Sequence, residues 1–175
     1  MEIHDLKGAT ILVVDDNPTN LETLSDCLTN FGFTVLLKKD GEKALSLTKR
    51  KKPDLILLDI IMPGMNGFET CEHLKENEET KDIPVIFMSA LSDTIDKVTG
   101  FELGAVDYIT KPFQHQEVLA RVKAHLTIQN LKKDLQTKNK ALQDSLERER
   151  KMVEDLRLNL SISLPHELRT PLNAI

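Results

Sequence analysis

The sequence predicts an α/β fold in which helices cover both faces of a doubly wound, five-stranded parallel sheet. Short runs that are apolar at every position alternate with segments whose apolar residues recur at helical spacing. Such a run is typical of a strand buried on both faces, as in a parallel sheet covered by helices. Several of the runs lead directly into a carboxylate or a hydroxyl residue. In open α/β sheets, the carboxyl ends of the strands form the edge where ligands bind.

The elements follow one another at short spacing along the first part of the chain. The predicted strands are Thr10 to Val14, Phe33 to Leu37, Leu55 to Leu58, Ile83 to Met88 and Val106 to Ile109. Predicted helices begin at Pro18, after Asp40-Gly41, at Phe68, at Asp93 and after Phe113. Pro18 suits the first position of a helix, and Gly32 and Gly104 suit helix ends. Strands alternating with helices favour βαβ units, and right-handed crossovers leave few ways to arrange them.

A long helix is predicted for the second part of the chain, because no glycine or proline occurs between Phe113 and Leu164. Its first turns would pack on the sheet as the last helix of the α/β domain. Further along, apolar or tolerated positions recur at heptad spacing with one stutter after Leu142. These seam residues are Ile128, Leu131, Leu135, Lys138, Leu142, Leu146, Glu149, Val153, Leu156 and Leu160. A helix with this pattern cannot bury its seam alone, so we expect a homodimeric coiled coil over residues 128–160.

Composition excludes several classes of protein. The formal net charge of −5 lacks the basic excess of a nucleic-acid-binding surface. Cys27 and Cys71 are too few and too far apart for a disulfide framework or a metal knuckle. There is no signal peptide, and no apolar run approaches the ~20 residues of a membrane span. We therefore expect a cytoplasmic location and no membrane contact within this fragment, which leaves open a longer protein anchored elsewhere. Four of the five histidines lack metal-ligand spacing, and we expect them at the surface: His4, His73, His115 and His125.

An acidic cluster is predicted at the carboxyl edge of the sheet. If the first and third strands are adjacent, as the doubly wound order puts them, Asp15, Asp16 and Asp59 converge there. Like charges this close repel unless a cation lies among them, and a hard cation such as Mg²⁺ suits oxygen ligands. Lys111 follows the fifth strand and Ser89 follows the fourth. Carboxylates, a cation, a lysine and a hydroxyl are what phosphoryl transfer to a carboxylate requires.

Residues 9 to about 127 resemble a response-regulator receiver domain. The resemblance lies in Asp15-Asp16 after the first strand, Asp59 in Asp-Ile-Ile-Met-Pro-Gly-Met-Asn-Gly, Ser89-Ala90 after the fourth strand and Lys111-Pro112 after the fifth. It implies a flavodoxin-like strand order, 2-1-3-4-5. The sequence departs from the family pattern at Asn66, where an acidic residue is common.

The resemblance implies a role for each matching residue. Asp59 would accept the phosphoryl group. The ligands of Mg²⁺ would be Asp15, Asp16, Asp59 and the backbone carbonyl of Ile61. Ser89 and Lys111 would bind the phosphoryl oxygens, and Tyr108 with Ser89 would form the switch that responds to phosphorylation.

The end of the sequence has a second resemblance. Leu164-Pro165-His166-Glu167-Leu168-Arg169-Thr170-Pro171-Leu172 is similar to the phosphoacceptor box of a sensor histidine kinase. It implies a nucleophilic imidazole at His166, with Glu167 as proton acceptor or orienting group. We expect a receiver domain at 1–127, a signalling helix at 128–160 and a truncated phosphoacceptor box at 161–175. A fragment without an ATP-binding domain should not autophosphorylate on His166.

The expected function is two-component phosphorelay signalling. A histidine kinase or phosphotransfer protein would phosphorylate Asp59, and the dimeric helix would transmit that state to a histidine kinase core. One alternative is a non-catalytic dimerisation and docking module that regulates a partner kinase. Another is a hydrolase of its own aspartyl phosphate. The apolar Ile61 and Leu91 offer no group to position water, which argues against the hydrolase.

Overall fold

The computed structural model describes residues 6–89 and 99–163, with side chains to residue 160. The chain divides into two units, Met1–Asn130 and Leu131–Ile175. The strands are β1 (Thr10–Val14), β2 (Thr34–Lys38), β3 (Leu55–Asp59), β4 (Val85–Ser89) and β5 (Asp107–Thr110). The helices are α1 (Pro18–Asn30), α2 (Gly41–Thr48), α3 (Gly67–Glu76) and α4 (His115–Ser163). Of the predicted helix at 93–103, residues 99–102 are described and helical, and 93–98 lie outside the described residues.

The five strands form one parallel sheet in the order β2-β1-β3-β4-β5. The predicted fold class and strand order are therefore confirmed. Strand β1 lies beside β3, with Leu12 opposite Ile56, and β3 lies beside β4, with Asp59 opposite Met88. This register aligns the carboxyl ends of the three central strands.

The first four residues of β3 are all apolar because the strand is buried on both faces of the sheet. Leu55 and Leu57 point into the core on one face of the sheet, and Ile56 and Leu58 point into the core on the other. All four side chains are fully buried. Burying a side chain of this size stabilises the fold by about 1.5–3 kcal/mol. Both faces of the sheet are thus covered, as the unbroken run predicts.

Several strand boundaries differ from the prediction by one or two residues. Backbone hydrogen bonding explains two of these differences. The N–H of Phe33 donates to the carbonyl of Leu28 at the end of α1, so β2 begins one residue later. The N–H of Ile83 donates to Thr80 in a turn, and Pro84 has no N–H. Strand β4 consequently begins at Val85.

Side-chain caps define where the first three helices begin. Asn17 caps α1, with Pro18 at its first position, and Asp40 caps α2. Asn66 and Glu69 form a capping box on α3, with both of its hydrogen bonds at 2.9 Å. A cap of this kind stabilises a helix by about 1 kcal/mol. Asn66, the departure from the receiver pattern, therefore has a structural role of its own.

Helix α4 runs from His115 to Ser163. Its apolar seam residues are each more than half exposed: Ile128, Leu131, Leu135, Leu142, Leu146, Val153, Leu156 and Leu160. Among the described helices, α4 included, none is long and apolar enough to span a membrane.

Gly67, the first residue of α3, allows the loop after β3 to fold back on the strand. Its N–H donates to the carbonyl of Ile60 at 2.9 Å, and an added Cβ would collide with backbone atoms of Asp59 and Ile60. We expect Gly67→Ala to lower the free energy of unfolding by about 1–3 kcal/mol, because backbone cannot move aside cheaply. Urea denaturation measures this. Ser46→Ala, at an exposed position of α2, is the control, and equal stability of both variants would contradict the prediction.

Candidate functional site

Three carboxylates meet at the carboxyl edge of the sheet. Asp15 follows β1 directly and Asp59 ends β3, and these strands are neighbours. One carboxylate oxygen from each of Asp15, Asp16 and Asp59 lies within 4.8 Å of the others. The predicted convergence of these three residues is therefore observed.

Asp15 is fully buried and surrounded by hydrogen-bond donors. Its Oδ1 accepts from the N–H of Asn17 at 2.8 Å, and Asn20 Nδ2 lies 3.2 and 3.0 Å from its two oxygens. Its Oδ2 accepts from Lys111 Nζ at 2.8 Å. A buried charge is tolerated only when it is paired and hydrogen-bonded in this way. Asn20 belongs to the site, although its residue type gave no signal apart from its position one turn into α1.

Lys111 connects two of the carboxylates. Its Nζ lies 2.8 Å from Asp15 Oδ2 and 2.9 Å from Asp59 Oδ2, and its side chain is 19% exposed. Burial opposes the charged form, but hydrogen bonds to Asp15 and Asp59 outweigh it, so that the pKa of Lys111 is raised. Its backbone N–H donates to the carbonyl of Ser89 at 2.7 Å. Lys111 is therefore a fixed positive charge at the site.

The carboxyl group of Asp59 is in a less favourable environment. Burial raises its pKa, and the negative charge of Asp15 adds to this effect. Hydrogen bonds from Lys111 and from the N–H of Ile61 act in the opposite direction but do not cancel the rise. Ile61 itself is 76% exposed. Asp59 is thus a buried group whose ionised form is held at some cost.

The donor set fits a hard divalent cation. Three carboxylates face one lysine, which leaves negative charge in excess, and all of the candidate ligand atoms on these side chains are oxygens. Mg²⁺ prefers oxygen ligands and commonly binds through a few carboxylates, with water or phosphate completing its shell. The residues present are therefore suited to Mg²⁺.

Ser89 and Tyr108 lie on the two strands beyond β3. Ser89 is the last residue of β4, one position past Met88, which pairs with Asp59. Tyr108 is 7% exposed, and its ring centroid lies 5.6 Å from that of Phe87 and 5.3 Å from that of Phe101. A Cβ on Gly100 would collide with the tyrosine hydroxyl. The ring is thus packed between β4 and the helical turn at 99–102.

Several predicted residues lie outside the described part of the chain. These are His4, Leu91, His166, Glu167 and Thr170.

The prediction for His125 was wrong. Its side chain is only 16% exposed, and its Nε2 lies 3.0 Å from Asp107 Oδ2. Asp107 also accepts from Arg121 at 2.7 Å. Arg121 and His125 are four residues apart and lie on one face of α4, a spacing visible in the sequence. We call Asp107, Arg121 and His125 the Asp107 cluster.

Comparison with known proteins agrees with the site. The model of the response regulator receiver domain family matches residues 11–123. The chain is 44% identical over 116 residues to the DNA-binding dual master transcriptional regulator RpaA of Synechocystis, covering 66% of this chain and 48% of that protein. It is 43% identical over 122 residues to the DNA-binding response regulator MtrA of Mycolicibacterium smegmatis, covering 70% and 52%. The chain spans about half the length of these relatives.

Solved structures give the same fold. The receiver domain of a signal transduction histidine kinase from Syntrophus aciditrophicus has a TM-score of 0.64 and 37% identity, covering 69% of this chain and 91% of that chain. The receiver domain of the sensor histidine kinase PA1611 from Pseudomonas aeruginosa has a TM-score of 0.64 and 28% identity, covering 69% and 98%. That structure has a magnesium ion coordinated in its active site cleft. On the match over residues 11–123, the chain belongs to the response regulator receiver domain family.

Proposed function

We propose that the chain accepts a phosphoryl group on Asp59 and transmits this state through a dimeric α4 to a histidine kinase core. The proposal assigns residues 1–127 to the receiver, 128–160 to a coiled coil and 161–175 to the start of a phosphoacceptor domain that contains His166. The observation that carries it is the bridge from Lys111 Nζ to Asp15 and Asp59, at 2.8 and 2.9 Å.

Transfer from a phosphohistidine donor needs a nucleophile and positive charge. A carboxylate oxygen of Asp59 forms a bond to phosphorus as the donor's P–N bond breaks, and the bonding electrons remain on the imidazole nitrogen. Mg²⁺, when held by Asp15, Asp16, Asp59 and the carbonyl of Ile61, supplies charge that stabilises the phosphoryl oxygens. Lys111 and the hydroxyl of Ser89 donate hydrogen bonds to the same oxygens. The phosphodonor is a histidine kinase or a phosphotransfer protein.

The connection to a kinase core is supported by three features. Helix α4 begins in the receiver and continues to Ser163, three residues before His166. Its seam residues leave an apolar stripe exposed, which a second copy of the same helix can cover. Both solved receiver domains described above belong to histidine kinases.

Labelling of Asp59 by a small phosphodonor tests the first step. We expect acetyl phosphate to phosphorylate the chain only with Mg²⁺ present, and Asp59→Asn to abolish labelling. Lys111→Ala should slow labelling by about 10²-fold, as for loss of one donor to a developing charge. Mass spectrometry measures both, with Asp26→Asn, an exposed residue of α1, as the control. Absence of Mg²⁺-dependent labelling would favour a passive docking module instead.

The raised pKa of Asp59 predicts a pH-dependent stability. The folded chain binds the proton of Asp59 more tightly than the unfolded chain does. The protonated carboxyl group therefore stabilises the fold at low pH, and this stabilisation is lost as pH rises through the pKa of Asp59 in the folded chain. At pH 7 without metal, we therefore expect Asp59→Asn to raise the free energy of unfolding by roughly 0.5–2 kcal/mol. The gain should shrink as pH falls to about 4. Thermal unfolding beside Asp26→Asn measures it, and a gain independent of pH would argue against this cause.

The seam residues predict the oligomeric state. We expect the chain to sediment as a dimer and the double variant Leu142→Asp, Leu146→Asp to raise the dimer Kd by roughly a hundredfold or more, because four leucines per dimer lose their burial. Gln136→Asp with Gln143→Asp, on the outer face of the helix, is the matched control. Sedimentation equilibrium distinguishes them, and a monomeric unaltered chain would refute the coiled coil.

A further inference from the structure

Asp107 connects strand β5 to helix α4. Its Oδ1 accepts from Arg121 Nη1 at 2.7 Å and from the N–H of Tyr108 at 2.8 Å. Its Oδ2 lies 3.0 Å from Nε2 of His125. One carboxylate therefore joins the backbone of the strand to two successive turns of the helix.

The Asp107 cluster is partly shielded from water. The side chains of Asp107 and His125 are 21% and 16% exposed, and that of Arg121 is 38% exposed. Burial alone would raise the pKa of Asp107. Hydrogen bonds from Arg121, His125 and the N–H of Tyr108 have the larger, opposite effect, so the pKa lies below its ordinary value. Glu117 accepts from Arg121 Nε at 3.0 Å and fixes the guanidinium from its other side. Bonds to an ionised acceptor in such a place are stronger than neutral ones.

Strand β5 leads from this cluster to the phosphorylation site. It runs from Asp107 to Thr110, and Lys111 follows at once. Ile109 is fully buried and pairs with Met88, so the strand is held in the sheet. One end of β5 thus carries the lysine that contacts Asp59, and the other end carries the carboxylate that holds α4.

The other contacts made by the first turns of α4 differ in kind from the hydrogen bonds of the Asp107 cluster. Val118, Val122 and Leu126 pack into the core, and Lys123 Nζ lies 3.6 Å from the ring centroid of Phe31. Apolar burial is non-directional, so a small rotation about the helix axis costs it less than it costs a hydrogen bond of fixed geometry. Hydrogen bonds require defined angles, and two of them from successive turns oppose such a rotation.

We propose that the Asp107 cluster sets the rotation of α4 on β5, so that a displacement of β5 on phosphorylation of Asp59 turns the helix. The second half of this statement rests on the proposed function. Asp107 is then a positioning residue, which touches neither phosphoryl group nor metal.

The first measurement examines the cluster without any phosphoryl mimic. In the full 175-residue chain, Asp107→Asn should lower hydrogen-exchange protection of residues 117–127 by about tenfold, which corresponds to about 1.4 kcal/mol of local opening. Asp26→Asn should leave it unchanged. Arg121→Gln removes the same contact from the helix side and replaces Asp107→Asn if that variant does not fold.

The second measurement examines coupling, which a merely structural role would not require. Single cysteines along 128–160 report interhelical disulfide formation with and without beryllofluoride, and the native Cys27 and Cys71 are buried. We expect beryllofluoride to change the cross-linking pattern of the unaltered chain, and the change to fall about tenfold in Asp107→Asn. Fluorine NMR verifies equal occupancy of beryllofluoride at Asp59.

The two readouts separate the two proposals. A full response to beryllofluoride in Asp107→Asn, or unchanged protection of 117–127, overturns the role of the Asp107 cluster. If beryllofluoride does not change the cross-linking pattern of the unaltered chain, transmission through α4 is overturned. The hydrogen-exchange protection of residues 117–127 then tests only whether the Asp107 cluster holds α4 on β5.

Discussion

The ion pairs of Lys111 with Asp15 and Asp59 are the contacts on which the carboxyl edge of this sheet depends. Asp15 is fully buried and Asp59 nearly so, and carboxylates in such places are stable only when cations and donors surround them. Lys111 reaches both because β1, β3 and β5 end at one edge of a single parallel sheet. The strand order brings these groups to one edge, and Asn20 of α1 adds a hydrogen bond to Asp15 there.

The sequence predicts what depends on short-range pattern. The run from Leu55 to Leu58 fills both cores at once, and only a strand covered on both faces needs apolar residues at every position. Asp15 and Asp59 are predicted to meet because the carboxyl ends of adjacent parallel strands lie at the same edge of the sheet. These conclusions need the fold class but no side-chain geometry.

The Asp107 cluster and Asn20 could not be predicted in the same way. The contact of Asp107 with His125 joins residues 18 positions apart in sequence and depends on the angle at which α4 crosses β5. The absence of metal-ligand spacing around His125 says nothing about a carboxylate on a neighbouring strand. Asn20 donates to Asp15 only because α1 turns back over the site. Both depend on tertiary packing, which periodicity does not report.

Magnitudes indicate how a receiver of this form can influence a long helix. Coupling between two sites in a protein is typically about 1–3 kcal/mol. Hydrogen bonds to an ionised group contribute about 1.5–3 kcal/mol each, so the Asp107 cluster is of the size needed to carry such a coupling. For this coupling to act, pairing along the seam must contribute less to the rotation of α4 than the Asp107 cluster does. In the proposed dimer, Lys138 and Glu149 interrupt the apolar seam on either side of the stutter and weaken its middle. In the proposed dimer, a helix held firmly by β5 and paired less firmly along its seam would let the receiver, rather than the pairing, determine its rotation.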